Sequence, residues 1–407
     1  MKKPWEISIA DFTYSLPPER IAQFPLADRD ASKLLFFNGQ VSHSKAFLDL
    51  PSLLPSNSLL VLNATKVVKA RLLFSNSTGG KIEVFCLEPI SQLPSQALET
   101  SHTTIWKTMV GGLKKWKKET LSIEIPGPQT IALKAKKLSE QGNIATIAFS
   151  WEPTELSFAE VLEAAGKVPL PPYMKREVEK SDENRYQTTY NKFPGSVAAP
   201  TAGLHFTTQV LDRIRQVGHQ TAELCLHVGA GTFAPVKAAK MEDHPMHAEW
   251  FEVEMSVLES LKNQGNHPIV AVGTTSLRTL ETLYWLGVKV SQGQDLESSP
   301  YCLTQWEPYQ LKSALSFSES VDFLINYLNS KELKSIIGQT QILIAPGYTF
   351  KVVDALVTNF HQPNSTLLLL IAAFIGESWR KVYEFALENE YRFLSYGDSS
   401  LLIKPST

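Results

Sequence analysis

The sequence predicts an α/β body combined with a smaller all-β unit, and three observations lead to this prediction. The chain has 407 residues, which is enough for two or three domains. From about residue 61 to 150, short segments rich in β-branched and aromatic residues alternate with glycine and proline turns, as in a small barrel or sandwich. Before and after this region, apolar strand patterns are followed by helical patterns, as in α/β proteins.

Local patterns predict individual elements of the α/β body. Residues 33–37 form an apolar strand that is closed by the hairpin dipeptide Asn38-Gly39. Residues 269–273 form a buried strand, and the hydroxyl residues that follow begin a helix. Further predicted elements are an amphipathic helix over 158–166, polar linker and helix over 288–338, a strand over 342–345 and a buried helix over 367–375.

The composition is that of an ordinary globular protein, with 43% apolar and 20% charged residues. Cys86, Cys225 and Cys302 lie far apart, which argues against a disulfide framework or a cysteine zinc site and favours a reducing compartment. The N-terminus has no signal-peptide pattern, and the apolar run over 367–375 is about half the length of a membrane helix. We therefore expect a cytoplasmic protein. The formal net charge of -2 means that any contact with nucleic acid needs a local basic patch.

Two segments carry such local positive charge. In the all-β region, four lysines at 114, 115, 117 and 118 surround Trp116, and they are either a solubilising hairpin tip or a patch that contacts phosphates. Trp116 favours the second alternative, because an aromatic ring among cations can stack on an unpaired base. Farther along, the proline-rich segment 168–176 delivers Tyr173, Lys175 and Arg176 to a defined place.

The most informative stretch runs from residue 194 to 249. It holds five of the nine histidines, at positions 205, 219, 227, 244 and 247, among glycines, small residues and hydroxyls. A packed core does not need this composition, because small residues fill little volume and unpaired polar groups are costly to bury. A loop that brings backbone N–H groups and imidazoles to a polar ligand does need it. We expect the chemistry to take place here.

The segment Asp243-His244-Pro245-Met246-His247 allows three interpretations. Two histidines three residues apart could share a metal ion, although no third histidine or cysteine ligand follows at a recognisable spacing. Acid–base or hydrogen-bonding work fits the residue type better, since histidine titrates near neutrality. A structural turn is the third possibility. We predict no metal site, and Gly229-Ala230-Gly231 has too few glycines for a dinucleotide fingerprint.

Taken together, the motifs resemble the S-adenosylmethionine:tRNA ribosyltransferase-isomerases of queuosine biosynthesis. The matching segments are Leu16-Pro17-Pro18-Glu19, Asp28-Arg29-Asp30-Ala31-Ser32, residues 169–176, Arg185-Tyr186-Gln187-Thr188, residues 195–207, 226–233, 243–249 and 272–276, Pro346-Gly347-Tyr348, residues 353–361 and Ser395-Tyr396-Gly397-Asp398. They cover both ends of the chain and nearly all of the α/β portion.

The resemblance implies an α/β main domain, residues 1–60 and 151–407, with a small antiparallel β-barrel domain inserted as residues 61–150. It implies a transferase-isomerase that moves the ribosyl moiety of S-adenosylmethionine to 7-aminomethyl-7-deazaguanine at the tRNA wobble position. Epoxyqueuosine forms, and adenine and methionine leave. S-adenosylmethionine is then a consumed substrate, no cofactor is expected, and the partner is tRNA. We expect a monomer that has no contact with a membrane.

Residue types and the motif match together suggest the site residues. The candidates for catalysis are His205, His227, His244, His247, Asp243 and Asp30. The candidates for substrate binding are Arg29, Tyr173, Thr201, Gly229, Gly231, Thr232, Phe233, Glu249, Thr274, Arg278, Tyr348, Lys351, Asp354, Asn359, His361, Tyr396 and Asp398. The candidates for tRNA binding are Lys114, Lys115, Lys117, Lys118, Lys175 and Arg176. The methionyl carboxylate could lie on the N–H groups of residues 229–232, on the helix start at 274–276 or on Arg278, and the base could stack on Tyr173 or Phe233.

Two segments depart from the family pattern, and three other functions stay open. Asn63-Ala64-Thr65-Lys66 lacks the carboxylate of the usual Asn-Asp-Thr-Arg or Asn-Asp-Thr-Lys, and residues 110–116 replace the usual Arg-Pro-Gly-Lys-Lys. A metal-dependent hydrolase built on His244 and His247 would contain zinc. A non-catalytic RNA-binding protein would retain tRNA without releasing adenine. A methyltransferase would release S-adenosylhomocysteine.

Overall fold

The structure is a computed structural model that describes residues 3–117, 119–229, 231, 236–294, 296 and 301–405. The described strands are β1 (Lys33–Phe37), β2 (Ser42–Ala46), β3 (Leu59–Asn63), β4 (Thr65–Val67), β5 (Arg71–Ser75), β6 (Lys81–Pro89), β7 (Thr103–Gly111), β8 (Leu121–Ile125), β9 (Ile131–Gln141), β10 (Ile144–Glu152), β11 (Phe193–Ser196), β12 (Gln220–Leu226), β13 (Glu249–Glu254), β14 (Ile269–Val272), β15 (Tyr301–Leu303), β16 (Ser335–Thr340), β17 (Ala355–Asn359) and β18 (Ser399–Ile403). The described helices are α1 (Leu50–Leu53), α2 (Pro94–Glu99), α3 (Phe158–Ala165), α4 (Asp182–Arg185), α5 (Thr208–Gln216), α6 (Met255–Asn263), α7 (Thr274–Ser291), α8 (Glu307–Gln310), α9 (Phe317–Ser330), α10 (Thr366–Ile375) and α11 (Ser378–Glu388).

Ten of these strands form one mixed sheet in the order β15-β16-β13-β12-β3-β14-β17-β18-β1-β2. The central strands β12, β3, β14 and β17 are parallel neighbours. Alternate residues of β3 point to opposite faces: Leu59 and Val61 belong to the core that includes α7, whereas Leu60 and Leu62 belong to the core that includes α5. Since both faces of the sheet are covered there, β3, β14 and β17 are buried along their whole length, as in other parallel sheets.

The other large sheet is antiparallel and has the strand order β5-β6-β7-β10-β9-β8. Its end strands, β5 and β8, approach within 8 Å between Cα atoms, so the sheet is nearly closed into a barrel. Burial alternates strictly along β7, as expected for a strand with one face in the core. Phe158 of α3 packs into that core against Trp106, Phe149 and Trp151, with ring centroids 5.3–5.5 Å apart.

Several predicted elements are confirmed. Strand β1 pairs with β2 through a hairpin in which Gly39 has a φ of 94°, a conformation that favours glycine. The apolar run near the C-terminus forms α10, and the Ser365 hydroxyl caps it by accepting the Leu368 N–H. No helix in the described part of the chain is long and apolar enough to cross a bilayer.

The helix predicted within residues 288–338 is confirmed as α9, but two other predictions over residues 288–345 are wrong. The supposed polar linker contributes β15 and β16, which extend the large sheet beyond β13. The supposed strand at 342–345 is buried but has no strand conformation. Strand β16, with the sequence Ser-Ile-Ile-Gly-Gln-Thr, is short, and its pairing with β13 is a tertiary contact between segments more than 80 residues apart, which a local pattern does not reveal.

One edge of the large sheet collects most of the predicted site segments. The parallel strands β3, β12, β14 and β17 end there, and their antiparallel neighbours β13 and β18 begin there. Strand β1, parallel to β18, also begins at this edge. In open α/β sheets, ligands bind at the carboxyl ends of the strands. The strand directions therefore bring residues 29–32, 227–229, 247–249, 273–275, 359–361 and 396–398 to one place.

Candidate active site

Two large cavities open at this edge of the sheet, beside a smaller one of about 280 Å³ that is lined by Arg29, His205 and Tyr396. The first, here called the strand-end cavity, contains about 760 Å³ of space including its mouth and lies among residues 198–202, 273–275 and 358–362. The second, here called the barrel cleft, contains about 1010 Å³. It lies between the outer face of β6, β7 and β10 and residues 227–229, 231 and 247–250 of the α/β body. Val228 lines both, so the two cavities are neighbours.

His227 lies in the barrel cleft, directly after β12. Gly195 makes room for it: a Cβ at that position would lie 2.4 Å from the imidazole, so only glycine fits. The Cys225 sulfur lies 3.7 Å from Nε2 of His227. Burial lowers the pKa of His227 to about 4, because desolvation disfavours the charged ring. The imidazole is therefore neutral at neutral pH.

His247 lies in the same cleft and is backed by a buried ion pair. Its Nε2 is 3.4 Å from Oε1 of Glu249. Glu249 is buried and pairs with Nη1 of Arg278, and it also accepts the Gly229 N–H at 3.4 Å. Burial alone would raise the pKa of Glu249, but the Arg278 guanidinium lowers it to about 2. A fixed negative charge therefore stands behind His247, and a Cβ on Gly231 would lie only 2.7 Å from its ring.

Arg278 itself lines neither cavity. Besides Glu249, it donates to the carbonyl oxygens of Ile342 at 3.2 Å and Thr340 at 3.4 Å. Since its guanidinium is used by three protein acceptors, the structure places Arg278 as the support of Glu249 and not on the methionyl carboxylate that the sequence suggested as its partner. A buried arginine needs such acceptors, because its charge cannot be removed by deprotonation.

His205 lies outside both cavities. Its Nδ1 is 2.8 Å from the Ser32 hydroxyl, its Nε2 is 3.4 Å from Nδ2 of Asn359, and its ring packs against Phe47. Burial lowers the pKa of His205 to about 4. His205 therefore connects the segment before β1 to the end of β17, which suits a positioning role better than proton transfer.

Asp243 and His244 also lie outside the two cavities. The Asp243 side chain is exposed, and the His244 carbonyl accepts the Gln305 amide at 2.8 Å. Burial and the neighbouring His247 lower the pKa of His244. Within the described ranges, no three His, Cys, Asp or Glu side chains are grouped so that they could hold a metal ion.

The strand-end cavity brings five other predicted residues together, namely Tyr173, Thr201, Thr274, Asn359 and His361. The Tyr173 hydroxyl pairs with the Ser395 hydroxyl, and burial raises the pKa of Tyr173 to about 12. Nε2 of His361 lies 3.0 Å from the Thr358 hydroxyl, and burial lowers the pKa of His361 to about 3. The side chains in this cavity are therefore neutral around neutral pH.

Four charged or phenolic candidates at the same edge hold chain segments together. Arg29 donates to the carbonyl oxygens of residues 184, 187 and 204. Asp30 accepts the Thr207 hydroxyl at 2.8 Å, and the Asp398 carboxylate accepts the N–H groups of residues 33 and 392. The Tyr396 hydroxyl donates to Asp182 at 2.9 Å. These contacts join separate parts of the chain, and Arg29 and Tyr396 also line the small cavity beside His205.

Tyr348, Lys351 and Asp354 lie far from the cavities, contrary to the prediction. They precede β17, so they are at the opposite edge of the sheet from its carboxyl end. The Tyr348 hydroxyl and the Lys351 N–H donate to the buried Glu281 at 2.8 and 3.0 Å, and Asp354 accepts the N–H of Ile269 at 3.1 Å. The physical reason is strand direction, which a motif match alone does not reveal.

The cationic candidates separate into exposed and internally paired residues. Lys114, Lys115, Lys117 and Lys175 are exposed. Arg176 forms two hydrogen bonds to Asp182, at 2.7 and 2.8 Å, and stacks over Phe24. Trp116 is buried and donates to the Glu119 carbonyl at 2.9 Å, so the proposed stacking of this ring on a base is wrong. Lys118, Thr232 and Phe233 lie outside the described residues.

The outer face of the barrel supplies a wall that the sequence interpretation did not assign. Leu87, Met109 and Ile144 line the cleft with Lys107 and Glu88, whose side chains pair at 2.6 Å. Met109 is 39% exposed and lies with Leu87 and Ile144 along the cleft, so these apolar side chains form a group on the barrel surface. The alternation along β7, in which residues 105, 107 and 109 share the outer face, was the signal available in the sequence.

Comparisons with known proteins agree on one family. A family model described as "Queuosine biosynthesis protein" matches residues 9–402. Proteins named S-adenosylmethionine:tRNA ribosyltransferase-isomerase from Burkholderia lata and Azoarcus sp. are each 37% identical, and each alignment covers 98% of this chain and 98% of the relative. A crystal structure of S-adenosylmethionine tRNA ribosyltransferase from Thermotoga maritima is 28% identical, with a TM-score of 0.46 over 97% of this chain and 100% of that one. The family match and the near-complete alignments show that the chain belongs to the queuosine biosynthesis protein family.

Proposed function

We propose that this protein transfers the ribosyl moiety of S-adenosylmethionine to 7-aminomethyl-7-deazaguanine at the wobble position of tRNA. The products are epoxyqueuosine in the tRNA, free adenine and free methionine. The names of the relatives support this reaction. The observation that supports it most is that His227 and His247 face an apolar wall of the barrel across a cleft at the carboxyl ends of the parallel strands. S-adenosylmethionine is consumed as a substrate, and no cofactor takes part.

The ribosyl transfer requires proton-transfer groups, and the histidines of the barrel cleft are such groups. The sulfonium already carries a good neutral leaving group and acidifies the protons on the neighbouring ribosyl carbon, so a base must accept one of them. Adenine needs a proton as it departs, and the amine of the tRNA base must be held in place. We assign the proton transfers to His227 and His247, because these two of the predicted histidines line the cleft. The ionised Glu249 stabilises the imidazolium of His247 when that ring is protonated.

We propose that the barrel is an insertion in an α/β domain, with the expected bounds of residues 61–150 for the barrel and 1–60 and 151–407 for the α/β domain. The first bound is corrected in one respect, because residues 61–63 belong to β3 of the large sheet. The apolar outer face of β6, β7 and β10 then receives the unpaired wobble base, since exposed bases are recognised on apolar and aromatic surfaces. The exposed Lys114, Lys115 and Lys117 at the barrel tip contact the tRNA backbone. We propose that the protein acts as a monomer in the cytoplasm.

The reaction is tested by incubating the purified protein with S-adenosylmethionine and tRNA that carries the aminomethyl base. Adenine and methionine are expected to appear together and in equal amounts, and only when the tRNA is present. Unmodified tRNA serves as the matched control. Release of S-adenosylhomocysteine would show a methyltransferase instead, and bound tRNA with neither product would show a non-catalytic binding protein.

A further inference from the structure

The floor of the strand-end cavity contains the uncapped start of a long helix. Helix α7 spans 18 residues and begins at Thr274, directly after Gly273, which has no side chain that could cap it. In the described part of the chain, the N–H groups of Thr274 and Thr275 donate to no other residue, and both residues line the cavity. Free N–H groups at the positive end of a helix favour an anion.

A second feature of the cavity points independently to a ligand. Asn359, at the end of β17, is only 3% exposed and lines the same cavity. Its Nδ2 lies 3.4 Å from both Nε2 of His205 and the Asp398 carbonyl, whereas its Oδ1 has no hydrogen-bond partner among the described residues. A buried acceptor without a hydrogen bond destabilises the folded protein. Its presence in a cavity therefore indicates that a bound ligand donates a hydrogen bond to it.

The charge of the cavity narrows the ligand chemistry. Its described lining residues include no Asp, Glu, Lys or Arg. The start of α7 is therefore the element that determines which charge of a ligand is bound there. One carboxylate suits the free N–H groups of α7, and one ammonium suits Oδ1 of Asn359. An α-amino acid carries both groups on a single carbon, and an adenine ring carries neither charge.

On the basis of the function proposed above, we infer that the strand-end cavity binds the methionyl end of S-adenosylmethionine. The carboxylate lies on the first turn of α7, and the α-ammonium donates to Oδ1 of Asn359. Because Val228 lines both cavities, the adenosyl part extends past it into the barrel cleft. This orientation puts the ribose beside His227 and His247 and leaves the barrel side of the cleft open to the tRNA base.

The substitution Thr275→Asp tests this orientation with two substrates, S-adenosylmethionine and its decarboxylated form. In the wild type, kcat/KM is expected to favour the substrate with the carboxylate by roughly 10- to 100-fold, the effect of one or two charge-assisted hydrogen bonds. In the aspartate variant, the new carboxylate occupies the helix start and repels that of the substrate. The preference is expected to fall to about threefold or less, mainly through KM. Thr275→Asn is the isosteric neutral control and is expected to keep the preference.

A second pair of variants tests the same orientation in case Thr275→Asp does not fold. Thr274→Pro removes one N–H at a helix position that tolerates proline, whereas Thr274→Ala keeps this N–H. The proline variant is expected to lose about tenfold more of the carboxylate preference than the alanine variant. An unchanged preference in both Thr275→Asp and Thr274→Pro would overturn the orientation and leave the proposed function intact. A wild-type protein that consumes neither substrate would overturn the proposed function itself.

Discussion

Replacing His247 by alanine is expected to lower kcat by about 10²- to 10⁴-fold, the range for removal of a general acid or base. His247 lines the barrel cleft, and its Nε2 is 3.4 Å from the ionised Glu249. Without the imidazole, no group at this position can exchange a proton with the ribosyl carbon or the departing adenine. KM for S-adenosylmethionine is expected to change little, because the methionyl end is held in the neighbouring cavity.

The measurement is the initial rate of adenine release under saturating S-adenosylmethionine and tRNA. His267→Ala is the matched control, since His267 is exposed and precedes β14 at the opposite edge of the sheet. The unfolding midpoint of the His247→Ala variant is expected to stay near that of the wild type, because the His247 side chain is 31% exposed and Glu249 keeps its pairing with Arg278. A variant that kept the wild-type kcat would remove His247 from the mechanism.

Arg278→Met is expected to lower the free energy of unfolding by about 3–5 kcal/mol, the cost of leaving a buried charge without its partner. Glu249 is 1% exposed and Arg278 is 3% exposed, so water cannot replace either partner. The substitution keeps most of the side-chain volume, and its effect is therefore mainly electrostatic. Activity is expected to fall as well, since Glu249 supports His247.

The loss of unfolding free energy in Arg278→Met is expected to become smaller as the pH falls. In the wild type, the pKa of Glu249 is lowered to about 2, so its stabilising contribution is present above the usual glutamate pKa and is lost as the pH falls toward 2. Without Arg278, burial is expected to raise the pKa of Glu249 above its usual value, so acidification stabilises the variant relative to the wild type. The unfolding free energies of the two proteins should therefore converge between pH 7 and pH 4.

Urea unfolding at a series of pH values measures this effect. The double variant Glu249→Gln/Arg278→Met, which removes both charges, is the control and is expected to recover part of the lost stability. Equal stability of Arg278→Met and the wild type at pH 7 would contradict the electrostatic account of this pair.

The sequence predicted which segments meet at one edge of the large sheet better than the contacts that their residues make. The glycine- and histidine-rich stretch does supply His227, His247 and Glu249 to the cleft, because a loop built for ligand approach has a composition that a core does not. Arg278 and Asp398 belong to matching motifs, yet the structure pairs each with protein groups. A charged residue looks the same in sequence whether it binds a ligand or another part of the chain.

The fold shows the same division between local and tertiary information. Strong local patterns located β1, α10 and the barrel strands. Local patterns do not predict β16, because it is short and its partner β13 lies more than 80 residues earlier in the chain. Trp116 was misassigned because a single aromatic residue among lysines does not reveal which face of the barrel it occupies. Met109 and Ile144 were not assigned to the site, because that requires knowing which face of the barrel turns to the α/β body.

The transfer of the ribosyl moiety to tRNA is tested most directly by following the ribosyl carbons of S-adenosylmethionine. S-adenosylmethionine labelled in the ribosyl carbons, or separately in the methyl carbon, is incubated with the protein and tRNA carrying the aminomethyl base. The tRNA is then digested and its nucleosides are analysed by mass spectrometry. The proposed function predicts that the ribosyl label enters the modified wobble nucleoside and that the methyl label leaves with methionine. Methyl label in the tRNA, with the ribosyl label retained in S-adenosylhomocysteine, would contradict it.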